Sequence, residues 1–121
     1  MTNKINLAEK FGLFTERWQP KTIAAANGQE VKIVKVKGEF PWHHHDDADE
    51  FFMVWKGRFR VGFRDHIVEM GAGECVVVPR GVEHRTSADD EAEIILVEPA
   101  DVLNTGNVVD AEFTAPIGVA I

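Results

Sequence analysis

The residues best suited to chemistry are three adjacent histidines, His43, His44 and His45, followed by an acidic run and then Glu50. The chain's other two histidines are His66 and His84. Neutral imidazole and carboxylate are good ligands for divalent transition metals. The local run by itself reads as a metal site, a solvated polar turn or a surface patch with incidental affinity for cations. Spacing decides which histidines can act together. On an extended segment, residues i and i+2 point to the same side, with Cα atoms about 6–7 Å apart. His43 and His45 therefore converge, while His44 points away toward hydrogen bonding behind the site or at the surface. Asp46 to Asp49 reads as a hydrophilic turn, which resets the alternation so that Glu50 can face inward beside the two imidazoles.

A fourth ligand would have to come from elsewhere in the chain, and "GECVVVPRGVEH" (73–84) offers one. Pro79 and Gly81 mark a tight turn after a short strand. His84 then opens a strand that can lie antiparallel to the histidine segment. Ligation needs neutral imidazole, whose ordinary pKa is about 6.5, so metal is expected to leave below about pH 6.

These side chains need a rigid frame, and the surrounding sequence reads as short strands. "VKIVKVK" (31–37) alternates but slips phase at Ile33–Val34, which predicts a strand with a bulge. "EFFMVWK" (50–56) puts Glu50, Phe52 and Val54 on one face and Phe51, Met53 and Trp55 on the other. In "RFRVGFR", Phe59, Val61 and Phe63 alternate with an outward stripe of Arg58, Arg60 and Arg64, expected to be solvated or salt-bridged. "HIVEM", "CVVVP", "HRTS" and "EIILVE" supply further strands. Turn signals fall at Lys56-Gly57, Arg64-Asp65, "GAGE" (71–74), "PRG" (79–81) and "ADDEAE" (88–93). Such spacing predicts an all-β sandwich or barrel. The N-terminal arm should hold a short helix near Asn6–Phe14 and anchor through Trp18. The lone cysteine, Cys75, is expected to be a buried, inert thiol. His66 should be exposed. For Arg80, at the turn near the metal-bearing ends, contact with an anionic ligand is the lesser alternative to a solvated or salt-bridged role, and a second layer or a second subunit must cover the outer face of 50–56.

The punctuation around the candidate ligands resembles the cupin superfamily. Its first motif is matched by Gly38, four residues, His43-x-His45, four residues, Glu50, six residues and Gly57. Its second is matched by Gly73, five residues, Pro79-x-Gly81, two residues, His84, three residues and Ala88. The first glycine spacing is one residue short, and Ala88 stands where the family carries Asn, a position that is not a ligand. The likeness is closest to small single-domain cupins, loosely phosphomannose-isomerase-like. It implies an all-β fold, the cupin double-stranded β-helix or jelly-roll barrel, with a short N-terminal arm. Residues 1–121 then form one domain: an arm (1–29), a barrel core with both motifs (30–98) and a C-terminal extension (99–121). The resemblance also implies one divalent transition metal (Mn, Fe, Co, Ni, Zn or Cu) held by His43, His45, Glu50 and His84.

Composition narrows the partners. The 121 residues carry a formal charge of -7, which disfavours nucleic acid and anionic membrane surfaces. No run has the length or apolarity of a leader or a membrane span, so the expectation is cytoplasmic. A small-molecule ligand and a homodimer are the partners expected. The function expected is a metalloenzyme of oxygenase or isomerase type acting on a small organic molecule, with no residue singled out as catalytic. A non-catalytic module that binds a small ligand is the alternative.

Overall fold

Alternating apolar residues build seven strands in the computed structural model, which describes residues 2–121. The helix α1 spans Leu7–Phe11, capped by the Asn6 side chain, which accepts from Glu9 N–H at 3.0 Å. The strands are β1 (Lys21–Ala26), β2 (Gln29–Glu39), β3 (Glu50–Lys56), β4 (Arg58–Gly62), β5 (Ile67–Gly71), β6 (Cys75–Val78) and β7 (Arg85–Pro99). They pair antiparallel in the order β1-β2-β7-β3-β6, with β4 joining both β5 and β7. The fold is nearly all β, as the jelly-roll reading requires.

β7 is the central element, bonding β4 through Arg85–Ser87 and both β2 and β3 further along. The sequence reading placed a turn at "ADDEAE"; the strand instead runs straight through it. Val36 pairs with Ala92 and Gly38 with Ala88, so Asp89, Asp90 and Glu91 stand opposite Lys37 alone. The three acids bulge into solvent while Ala88 and Ala92 stay in the core, bending the strand without reversing it.

β2 corrects a second expectation. No slip occurs at Ile33–Val34, because both faces of the strand are covered. Val34 and Val36 join the barrel interior with Phe52, Val54, Phe59, Val61, Ile94 and Leu96. Ile33 faces outward, where Phe11 and Phe14 of the arm pack on it and on Ile95. Lys32 shares the inward parity of Val34 and is only 4% exposed.

The arm therefore supplies much of the second layer that β3 needed, and Met53 packs against it. That layer stops short of β6, the outermost strand. Cys75 pairs with Met53 and Val77 with Phe51, so both point to the uncovered outer face. Cys75 is exposed, contrary to the buried thiol expected from its apolar neighbours. The apolar run around it reflects the inward Val78 and the half-buried Val76.

The C-terminal extension packs on the body. Thr22 N–H donates to Val119 O and Ile121 N–H to Thr22 O, fastening the last residues to β1. The arginine stripe is salt-bridged: Arg60 grips Asp89 through two nitrogens and Arg64 pairs with Glu83. His66 is exposed beside Asp65. No helix among the described residues is long and apolar enough to cross a membrane.

Candidate metal centre

Four side chains from three stretches meet inside the barrel. His43 and His84 form an isolated antiparallel bridge, each backbone N–H donating to the other's carbonyl at 2.9 Å. His45 follows at the predicted same-side spacing, and Gly81 N–H donates to its carbonyl at 2.8 Å, tying the Pro79–Gly81 turn to the histidine segment. Asp46 and Asp47 make the turn, and Glu50 opens β3 opposite Val78. His43, His45, Glu50 and His84 are all buried, and one potential ligand atom from each lies within 4.8 Å of the others.

The hydrogen-bond pattern fixes what these atoms present. His43 Nδ1 lies 2.8 Å from Pro41 O, and His84 Nδ1 lies 2.9 Å from Val82 O. A carbonyl can only accept, so both Nδ1 atoms carry the proton and both Nε2 atoms are bare acceptors. Yet His84 Nε2 faces Glu50 Oε1 at 3.2 Å, and His45 Nε2, buried without a hydrogen bond, stands 3.4 Å from the same oxygen. With a neutral ring, His84 Nε2 and Glu50 Oε1 are two acceptors facing each other in a buried site, an arrangement that a proton or a metal ion between them would satisfy. Backbone carbonyls that fix the far ring nitrogen are the supports a metal-bound histidine uses. The residues present are compatible with a metal ion.

Electrostatics agree. Burial pushes the His43 pKa down to about 4, reinforced by His84 alongside, so the ring stays neutral and able to ligate. Burial alone would raise the Glu50 carboxyl, but the neighbouring His45, His84 and Glu98 side chains hold it well below the usual carboxylate range. A folded-state pKa below the unfolded 6.5 means that the unfolded chain binds the extra proton. The stability from a neutral His43 is therefore present above pH 6.5 and lost as pH falls toward 4. In metal-free protein, the stability advantage of wild type over His43→Gln should shrink by about 3 kcal/mol between pH 7 and pH 4. Urea titrations of both proteins across that range check it, and a constant difference refutes it. For His43, the pH threshold near 6 set by an ordinary imidazole thus moves lower.

His44 points away, as its parity requires. Its Nδ1 lies 3.2 Å from Asp46, and its backbone is clasped by Asn107, whose side chain accepts from His44 N–H at 2.8 Å while Asn107 N–H donates to His44 O at 3.1 Å. Arg80 is not where an anionic ligand would need it. It is exposed and bonded to Asp49 through its backbone and its guanidinium.

One wall of the centre opens on a cavity of about 40 Å³ lined by His43 and Glu50 and by the apolar side chains of Trp18, Phe40, Phe52 and Phe59. Its volume holds about three waters. Two of its lining residues escaped the sequence reading. Trp18, expected only as an anchor, stacks on Phe40 at 4.7 Å between ring centres and takes a backbone φ of +63° to do so, a conformation uncommon for a bulky residue. Glu98 shares the inward parity of Ile94 and Leu96 on β7, and Lys32 shares that of Val34 on β2. Two opposite charges at core positions of neighbouring strands were the available signal.

Fold and site together define a small jelly-roll barrel whose interior cluster of three histidines and one glutamate is compatible with a metal ion. The chain belongs to the Cupin_2 family, "Cupin domain", whose model matches residues 30–98. It is similar to a cupin-2 domain containing protein from Shewanella frigidimarina NCIMB 400, with 46% identity, a TM-score of 0.77, and coverage of 78% of this chain and 93% of that one. Protein NMB1881 from Neisseria meningitidis is 30% identical with a TM-score of 0.74, covering 80% of this chain and 99% of that one. The uncharacterized protein YdbB of Bacillus subtilis (strain 168) is 35% identical over 66 residues, which are 54% of this chain and 58% of that protein.

Proposed function

We propose that this cupin holds one divalent transition metal through His43, His45, Glu50 and His84 and works as a metalloenzyme on a small organic molecule. The observation that carries the reading is the convergence of four buried side chains, with His45 Nε2 and His84 Nε2 at 3.4 Å and 3.2 Å from Glu50 Oε1, beside a cavity that His43 and Glu50 also line. A bound ion of this kind would supply Lewis acidity toward a ligand oxygen. The chain's own residues do the rest. The carbonyls of Pro41 and Val82 orient two imidazoles, and Trp18, Phe40, Phe52 and Phe59 keep the adjoining wall dry. Low polarity there strengthens any interaction between the ligand oxygen and the centre.

The test begins with protein purified without a histidine tag. Elemental analysis is expected to find a stoichiometric divalent metal, or to find it regained on reconstitution after chelation; a protein that neither carries nor regains one sinks the proposal. Turnover separates enzyme from binder. A compound that occupies the cavity but emerges unchanged with O₂ and other cosubstrates supports the non-catalytic alternative.

A further inference from the structure

Glu98 sits beside the metal centre yet belongs to no ligand set. It is 2% exposed, near the end of β7. Lys32, reaching from β2, places Nζ 3.0 Å from Glu98 Oε1. The other oxygen, Oε2, is buried with no hydrogen-bond partner, and burial together with the nearby Glu50 carboxylate pushes the Glu98 carboxyl above its usual range. Replacing a buried ion pair with apolar residues is commonly neutral or stabilising, so this pair does little for the fold itself. A buried polar atom left unpaired carries an uncompensated desolvation cost, which a suitable ligand would recover.

The same carboxyl lines the cavity that His43 and Glu50 line. Asn104, another polar group on that wall, is already committed: its amide nitrogen donates to Trp18 O and Phe113 O, and its oxygen accepts from Ala115 N–H. Among the described residues no Arg or Lys lines the cavity, so apart from an ion at the centre its wall offers no fixed positive charge to a carboxylate or phosphate, and the Glu98 carboxyl disfavours one. Aromatic and aliphatic side chains make up most of the remainder. The geometry points to Glu98 as the residue that selects the ligand: Oε2 receives the hydroxyl of a small, neutral, otherwise apolar molecule whose body lies against Phe40, Phe52 and Phe59. Lys32 is the positioning residue, because it holds Oε1 and so turns Oε2 to the cavity. This assignment deepens the reading of the cavity as a ligand site, and it names the class of ligand as a small alcohol or enol.

Two probes of near-equal size test it, 2,2,2-trifluoroethanol and 1,1,1-trifluoroethane, which differ by one hydroxyl and share a reporter for fluorine NMR titration. Wild-type protein, zinc-loaded and metal-free, should bind the alcohol about tenfold more tightly than the alkane, the worth of one hydrogen bond to a charged or polar buried group. The double substitution Lys32→Met/Glu98→Leu removes the pair without stranding a charge and should bring the ratio near one. Because the ratio is taken within each protein, partial unfolding does not mimic the result. In Glu98→Gln, Lys32 should hold the amide oxygen and the amide nitrogen should face the cavity, so a reduced but surviving preference is expected. Equal binding of the two probes by wild type, no detectable binding of the alcohol, or an unchanged ratio in the double variant overturns the proposal. The metal-free arm distinguishes the two readings: a preference that persists in metal-free protein, where elemental analysis finds no metal and zinc cannot be loaded, refutes the metal centre and leaves Glu98 standing.

Discussion

His84→Ala will lose at least about 100-fold in metal affinity, while His44→Ala stays within a few-fold of wild type. The two histidines are close in space and opposite in role. His84 is wholly buried, its Nδ1 held by Val82 O and its Nε2 aimed at Glu50. Removing it leaves the coordination sphere one protein ligand short. His44 is half-buried and turned toward Asp46, so truncation costs only that contact. Competition against a chromophoric chelator at pH 7.5 measures both affinities. The reverse ranking would refute the assignment of faces along the triplet.

Gly106→Ala will destabilise the protein by about 2–4 kcal/mol, combining the cost of a left-handed alanine with that of overpacking. Gly106 has φ +57°, and a methyl group there would collide with the carbonyl oxygen of His44 and come within 3.1 Å of the His43 ring. Neither the His44 backbone nor the His43 ring can retreat freely, since Asn107 clasps the one and Pro41 O the other. Gly28→Ala is the control. It also has positive φ, +77°, but nothing lies within 4 Å of the added carbon, so only the conformational cost of about 1–2 kcal/mol applies. Urea denaturation gives both numbers. Metal affinity should fall for Gly106→Ala and not for Gly28→Ala; equal behaviour of the two would show that the tail does not bear on the histidine segment.

The four clustered side chains were legible because each rests on a local rule. Parity pairs His43 with His45, a turn resets it for Glu50, and Pro79 and Gly81 aim His84. The barrel was legible from the same alternation. What escaped depended on contacts distant in sequence. The apparent slip in β2 came from assuming one covered face, when the arm covers the other through Phe11 and Phe14. The same assumption set Lys32 opposite Val31 and Ile33 and gave it no place in the interior, although its parity matches Val34. "ADDEAE" reads as a turn by composition, but Ala88 and Ala92 anchor it in the core, and only the pairing with β2 reveals a bulge. Cys75 sits among valines, and nothing local says that the covering layer ends one strand short of it.

The adjacency of His43, His44 and His45 has a consequence for the denatured chain. Glu50 and His84 join the cluster only after the barrel closes, whereas the triplet persists in every conformation. Unfolded molecules therefore retain a chelating tripeptide and compete for the same ion. Added metal raises the melting temperature by the difference between the two affinities, not by the native affinity alone. During synthesis, an ion captured early by the triplet would travel with the chain into the barrel, so loading and folding become a single event.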